Sequence, residues 1–432
     1  MRSNSLLLSF LSVALAASAT AAPAPADLLA IRVGRAETVS HGAIEHAVLL
    51  VEDGVIVAVG ADLPVERGIP VLDRPEWTVM PGLVLPYSRL GLDGRAGAEF
   101  NPEVSPAAEI LPRSEDYEDV LEFGITTLGI YPPGNGVPGQ ALALRPKGDS
   151  LKEMLIEEGV YLKLYFRADA RSKKMVKDAW AKVDEYDEKV AKAKEKWTKD
   201  QEKSKSSKKP AEGEKKDDEK PAEKPAEKSA ESSKGAAKAF VPPPPDDKVK
   251  PFLRVRDGKL LPLVSISQSA DWAHWLDAIG ERKFDFALRV VMQRDLDLYE
   301  VQEEIAKRGC MLVMEPEISY QVGTMRQRNL PAEFANAGAK VVLIPRGEEL
   351  DAHEAWRRDV GELVKYGLSR EAALASMTLN GAALMGLDKQ FGSLEKGKVA
   401  NLLFLNGDPL EPATQVVAVM LDGQIVHGEV RQ

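Results

Sequence analysis

Residues 79–90 read Val-Met-Pro-Gly-Leu-Val-Leu-Pro-Tyr-Ser-Arg-Leu, an apolar run that Pro81-Gly82 interrupts and that ends in polar side chains. Tyr87 and Arg89 stand two positions apart at its end. Tyrosine is a poor metal ligand at neutral pH, and a guanidinium group repels a cation. These two residues are therefore unsuited to hold a metal ion.

The two ends of the chain share one β-type pattern. Residues 28–81 contain two β-rich runs around the Asp53-Gly54 turn, which predicts a hairpin. Residues 389–432 contain an apolar strand and a second hairpin around Asp422-Gly423. Each end alone is too small for a stable sheet, so the sequence predicts one small β-sandwich built from the N- and C-terminal segments.

Residues 83–388 alternate strand-like and helix-like runs, which predicts a largely parallel sheet in an α/β fold. The predicted strands are 126–130, 141–144, 161–166, 261–265, 287–292, 311–314 and 341–345. The predicted helices include 272–279, 298–308 and 331–337. Without an inserted segment, the length is close to the roughly 250 residues of a TIM-like (β/α)8 barrel. A doubly wound sheet is the alternative, but no Gly-x-Gly-x-x-Gly follows a strand to favour it.

The insertion lies at residues 189–250 and is rich in Lys, Glu, Pro and Ala. Residues 189–239 hold 16 Lys and 11 acidic residues, and residues 198–239 contain no large apolar side chain. Such a composition cannot bury enough apolar surface to fold alone. We predict a charged helix over 172–197 and disorder over 198–245. The insertion either touches an anionic surface or, as its composition favours, only solubilises the protein.

The remaining features concern location and partners. Residues 1–22 have the basic start, short apolar run and Ala19-Thr20-Ala21 ending of a secretory signal peptide, with an uncleaved anchor as the alternative. We expect a periplasmic or secreted protein with no membrane span after cleavage. The single cysteine, Cys310, excludes an internal disulfide and is expected to be buried. The net charge of -10 argues against a nucleic-acid partner.

Several motifs together resemble the amidohydrolase superfamily, and in particular its exported, imidazolonepropionase-like branch. They are 50–60 with Val79–Leu83, Phe123–Thr127, Pro132–Gln140, Leu374–Leu387, Gly392–Leu402, Asn406–Pro409 and Leu421–Gly423. The resemblance covers nearly all of the chain after residue 22. It implies a metal-dependent hydrolase of carbon–nitrogen bonds other than peptide bonds, with zinc or another divalent ion at the carboxyl end of the barrel.

The ligand positions of that family fall on other residue types here. The His-x-His of the first strand falls on Tyr87 and Arg89, and the bridging Lys or Glu of the fourth strand falls near Lys163. The remaining positions fall on Ser265 and Ser267 for the fifth strand, Met292 or Gln293 for the sixth, and Arg346 for the eighth. None of the five histidines replaces them, and only His353 follows a barrel strand closely. We therefore predict no catalytic, cofactor-binding or metal-ligating residue and no bound cofactor.

The sequence thus favours a catalytically inactive, exported binding or scaffold protein. Its former metal pocket would be lined by Tyr87, Arg89, Lys163, Ser265, Ser267, Gln293 and Arg346. The arginines Arg89 and Arg346 could replace the lost cations and bind an anionic small molecule or a peptide carboxylate.

Two alternatives stay open. One is an active hydrolase with an atypical site that uses Lys163, His353 or Glu315, the last beside Glu317. The other is a structural subunit that pairs with an active amidohydrolase homologue.

Overall fold

The computed structural model describes residues 28–92, 98–206, 239–294 and 296–428. The predicted signal peptide and residues 207–238 of the predicted insertion lie outside the described residues. The strands are β1 Leu28–Glu37, β2 Ala43–Glu52, β3 Val55–Ala61, β4 Val71–Pro81, β5 Leu83–Ser88, β6 Ala98–Phe100, β7 Ile125–Ile130, β8 Asn135–Val137, β9 Gly139–Leu144, β10 Leu155–Tyr165, β11 Leu261–Ile266, β12 Ala287–Val290, β13 Leu312–Met314, β14 Ser319–Tyr320, β15 Gln327–Arg328, β16 Val341–Leu343, β17 Leu402–Leu405, β18 Val416–Leu421 and β19 Gln424–His427. The helices are α1 Glu115–Glu122, α2 Leu151–Met154, α3 Ala170–Ser206, α4 Lys250–Arg256, α5 Ser269–Ile279, α6 Gln302–Arg308, α7 Leu330–Asn336, α8 Leu350–Lys365, α9 Arg370–Met377 and α10 Leu379–Leu384, with 3-10 turns at Pro106–Glu109 and Leu298–Val301.

The two ends of the chain, for which the sequence predicts a small β-sandwich, pair with each other in one seven-stranded sheet. Its strand order is β19-β18-β17-β4-β1-β2-β3, so the C-terminal hairpin joins the N-terminal strands through the antiparallel pair β17–β4. The two hairpin turns meet at Ala400, whose N–H donates to Gly54 and whose carbonyl accepts from Gly423. Buried apolar side chains from both ends, such as Ile31 and Phe404, share one core. Neither end could bury this surface alone.

The second sheet has eight strands in the order β16-β13-β12-β11-β10-β9-β7-β5. This order follows the chain without a reversal, whereas a doubly wound sheet has a point where the order reverses. The sheet is curled, and it gives the TIM-like α/β architecture that the sequence predicts. The strand β9 is antiparallel to both of its neighbours. The short connection from β9 to β10 allows a direct return but no crossover.

Helix α10 contacts both edge strands of the curled sheet, β5 and β16. The Asn380 side chain donates to the Val341 carbonyl of β16 at 2.8 Å. On the other side, a Cβ atom on Gly381 would lie 2.8 Å from the Val84 carbonyl oxygen of β5, which is too close for a side chain. Residue 381 is therefore a glycine because the helix backbone approaches the strand there.

Helix α3 extends to Ser206, so the prediction that disorder begins at residue 198 is wrong for residues 198–206. Ion pairs four residues apart, Lys192–Glu188 and Lys199–Glu195, support its exposed second half. Within residues 239–245, for which the sequence also predicts disorder, the Pro243 carbonyl accepts from the Tyr186 hydroxyl at 2.9 Å. Within the described ranges, no helix is long and apolar enough to span a bilayer.

Candidate functional site

Three side chains meet at the carboxyl end of the curled sheet. The sequence predicts two of them, Tyr87 and Lys163, and the structure adds Tyr131. The rings of Tyr87 in β5 and Tyr131 just after β7 stack with centroids 3.9 Å apart. The Lys163 ammonium of β10 lies 3.9 Å from the centre of the Tyr131 ring and 5.8 Å from that of Tyr87. The site predicted for the family's metal is thus occupied by two aromatic rings and an amine.

The amine of Lys163 is buried, with 6% of the residue exposed. Burial and then repulsion from Arg89 lower its pKa to about 7, although the Glu348 carboxylate opposes this change. Close to neutral pH this lysine therefore exchanges between an ammonium, which binds the face of an aromatic ring, and a neutral amine.

A buried ion pair lies beside Tyr87. Arg289 of β12 donates to both carboxylate oxygens of Glu315, which follows β13, and its Nη1–Oε2 distance is 2.9 Å. The guanidinium carbon of Arg289 lies 5.2 Å from the centre of the Tyr87 ring. Burial disfavours the charge on Arg289, but the facing Glu315 carboxylate outweighs it, so the pKa of Arg289 is raised. The guanidinium and the carboxylate compensate each other's burial through their direct contact.

The Glu348 carboxylate connects β5 and β7 to the loop between β16 and α8. It accepts from the Ser88 hydroxyl at 2.9 Å, the Arg89 N–H at 3.0 Å and the Tyr131 hydroxyl at 3.2 Å. Burial raises the pKa of the Tyr131 hydroxyl, which keeps it protonated as a donor. Glu348 is therefore bound by three donors at the end of the barrel.

The other predicted pocket residues are only partly brought together. Ser265 is buried and lies directly opposite Arg289 in the pairing of β11 with β12. Ser267 follows β11, and its N–H donates to Asp271 at 2.8 Å. Arg346 forms an ion pair with Asp359 at 3.2 Å, so its charge is already partnered.

The largest difference from the prediction concerns the ligand position of the family's sixth strand, which the sequence places at Met292 or Gln293. Strand β12 ends at Val290, so Met292 and Gln293 lie beyond it, and Gln293 is exposed. Arg289, which sequence reasoning missed, contributes the side chain from this strand. The signal for it was an arginine inside the apolar run Ala-Leu-Arg-Val-Val-Met, which is costly to bury without a partner.

The remaining candidate groups have structural surroundings. His353 is buried, and its Nδ1 lies 2.7 Å from the Glu349 carbonyl oxygen at the start of α8. Cys310 is buried before β13, and burial raises its pKa to about 11, which disfavours the thiolate. Glu317 follows Glu315, but only Glu315 joins the Arg289 pair.

The donor set at this site does not fit a divalent metal. Among the residues that the structure describes, no three His, Cys, Asp or Glu side chains are grouped so that they could hold an ion. The two carboxylates present, Glu315 and Glu348, are engaged by Arg289 and by hydroxyl and amide donors. A cation would also meet Lys163 and Arg289 at short range, and like charges repel.

Comparisons with known proteins agree with this fold. Residues 348–428 match the model of the amidohydrolase family. An amidohydrolase from Thermotoga maritima MSB8 has a similar structure at 18% identity with a TM-score of 0.71, and the match covers 93% of this chain and 100% of that one. Residues 348–428 thus carry the sequence pattern of that family, and the described chain shares the fold of an amidohydrolase, in agreement with the motif resemblance.

Two zinc-bound structures are more distant neighbours. An adenosine deaminase from Xanthomonas campestris with bound zinc has 14% identity and a TM-score of 0.51, with 92% of each chain covered. An atrazine chlorohydrolase from Arthrobacter aurescens TC1 complexed with zinc has 14% identity and a TM-score of 0.50, with 93% of this chain and 96% of that chain covered. At these identities the likeness concerns the fold. No protein of curated function matches the sequence significantly.

Proposed function

We propose that this amidohydrolase-family protein is catalytically inactive, is exported, and binds an anionic small molecule at the carboxyl end of its barrel. One observation carries the proposal: cations occupy the place where the family binds a metal. Lys163 and Arg289 lie there on the faces of stacked tyrosine rings, and Arg89 stands at the end of β5. The N-terminal pattern of residues 1–22 supports export.

Support for inactivity comes from the donor set, since the described residues group no three side chains that could hold a metal ion. The family's chemistry needs a metal that lowers the pKa of a bound water. Here both nearby carboxylates are engaged, and the Tyr87 hydroxyl is buried, which raises its pKa and keeps it neutral. Anion binding follows from the excess of cationic groups at this end, since a carboxylate or similar anion pairs well with a guanidinium.

The metal content of the purified full chain tests the proposal. After dialysis, elemental analysis should find well below one zinc, iron or manganese per chain, and calorimetric titration with zinc should show no tight binding. About one ion per chain that resists dialysis, as in a metal-dependent hydrolase, would overturn it. Glu315→Gln and Glu348→Gln would then show whether these carboxylates hold the ion.

A further inference from the structure

A cavity of about 480 Å³ opens at the carboxyl end of β10. Tyr165 lines it and stands two residues after Lys163, on the same face of β10. Asn135 and Gly136 of β8 form another part of its wall. The volume lies within the roughly 300–1,000 Å³ that small-molecule sites occupy.

The polar groups of this cavity have unused hydrogen-bond donors. Arg167 donates from Nε and Nη2 to the Tyr165 hydroxyl oxygen, at 2.9 and 2.5 Å. A guanidinium has five N–H groups, so three of those on Arg167 remain for a ligand. Because the phenol oxygen accepts from the arginine, its own hydrogen is also free to be donated. The cavity therefore presents several N–H and O–H donors to a ligand.

The charge of the cavity favours a single negative charge on the ligand. Two exposed guanidinium groups, Arg167 and Arg171, line it together with one carboxylate, Asp169. That carboxylate accepts the Ser172 N–H at 2.7 Å, which holds it at the start of α3. The three side chains therefore carry a net charge of about +1 at neutral pH.

An apolar surface lies beside the arginines. The Phe100 ring is stacked on Phe252, with centroids 5.8 Å apart, and it is half-buried. Met175 of α3 lies on the same cavity and is also half-buried. A thioether and a fixed ring offer adaptable contacts to an aromatic or aliphatic group.

We infer that this cavity binds a monocarboxylate with an aromatic or aliphatic body. The carboxylate contacts Arg167, Arg171 and the Tyr165 hydroxyl, and the apolar body lies on Phe100 and Met175. The inference rests on the proposed anion-binding function and locates it beside the former metal pocket. Neither Arg89 nor Arg346 lines this cavity.

The test uses 3-phenylpropionate as the probe and calorimetric titration of the full chain. The uncharged 3-phenylpropionamide and inorganic phosphate are comparison ligands. The variants are Arg167→Gln and Arg171→Gln, with Arg113→Gln as the matched control, since Arg113 is an exposed arginine outside this cavity. Circular dichroism of each variant shows whether it is folded.

Wild type should bind the probe and bind the amide and phosphate much more weakly. Each cavity variant should weaken probe binding about ten- to hundredfold, while Arg113→Gln should leave it unchanged. No binding of the probe to wild type at millimolar concentration overturns the inference. If binding instead depends on Arg89→Gln and not on Arg167→Gln, the cavity is wrong but the proposed anion-binding function stands.

Discussion

A buried lysine with a low pKa makes protein stability depend on pH in a particular direction. The pKa of Lys163 is about 7 in the folded protein and 10.5 ordinarily. Below pH 7 Lys163 is protonated in both the folded and the unfolded protein, so the full cost of burying its charge is present. Between pH 7 and about 10.4 the unfolded chain binds more protons, so stability rises with pH over that window.

Lys163→Met should therefore stabilise the protein at pH 6 by a few kcal/mol, at roughly 1.4 kcal/mol per unit of pKa change, and should stabilise it much less at pH 10. Urea unfolding at the two pH values measures this difference. Lys152→Met, on an exposed lysine of α2, controls for the added apolar group. An equal effect of Lys163→Met at both pH values would contradict the prediction.

The Arg289–Glu315 pair should behave as a buried pair, because only 8% and 16% of the two side chains are exposed. Glu315→Gln leaves a guanidinium without its counter-charge and should cost about 3 kcal/mol. The double variant Arg289→Met with Glu315→Gln should cost clearly less than the single variants Arg289→Met and Glu315→Gln summed. Denaturant unfolding of the full mutant cycle measures the coupling.

The exposed pair Lys199–Glu195 gives the comparison for that cycle. Its side chains are 64% and 67% exposed, so Glu195→Gln should leave the stability nearly unchanged. Additive effects of Arg289 and Glu315 substitutions would mean that the two groups do not interact in solution.

At the scale of single residues, the sequence could predict some of the side chains that meet at the barrel end but not their partners. Tyr87 and Lys163 were found from their positions in the family's motifs. Arg289 was missed because Val290, Val291 and Met292 are all apolar, so composition does not reveal that β12 ends at Val290. The connection made by Glu348 joins residues 260 positions apart, and such contacts leave no local pattern.

At the scale of elements, helix α3 combines a packed half and a solvated half. Trp180 is 3% exposed and lies 5.0 Å from the Phe284 ring, whereas Trp197 further along is half-buried against Phe240. Trp180→Ala should cost about 3–5 kcal/mol, and Trp197→Ala should cost less than about 1 kcal/mol. Urea unfolding compares the two, and similar losses would show that both halves support the barrel equally.

The sequence predicts the barrel strands well but misses the end of helix α3. The strands at 126–130, 141–144 and 261–265 were predicted within two residues, because short apolar runs between turns predict buried strands well. Residues 198–206 lack large apolar side chains, so burial gave no signal for a helix. They are helical through local pairs such as Lys199–Glu195, which depend on spacing within one helix.

For the whole molecule, two arginines join the barrel to the terminal sheet. Arg370 of α9 donates to Glu37 of β1 at 2.6 Å and to Asp408 at 2.9 Å. Arg357 of α8 donates to the Pro409 and Thr414 carbonyls at 2.6 and 2.7 Å. Because the sheet contains both ends of the chain and the barrel lies between them, the two parts should unfold together.

Arg370→Met tests this cooperativity. The Glu37 side chain is 4% exposed and would keep only its contact with Arg35, so the variant should lose about 1–3 kcal/mol. The loss should appear in one transition, with hydrogen exchange accelerated equally in β1 and in β11, because a cooperative unit opens as a whole. Arg113→Met, on an exposed arginine, should change neither amide set. Faster exchange in β1 alone would show that the terminal sheet is a separate folding unit, which the barrel supports only through these contacts.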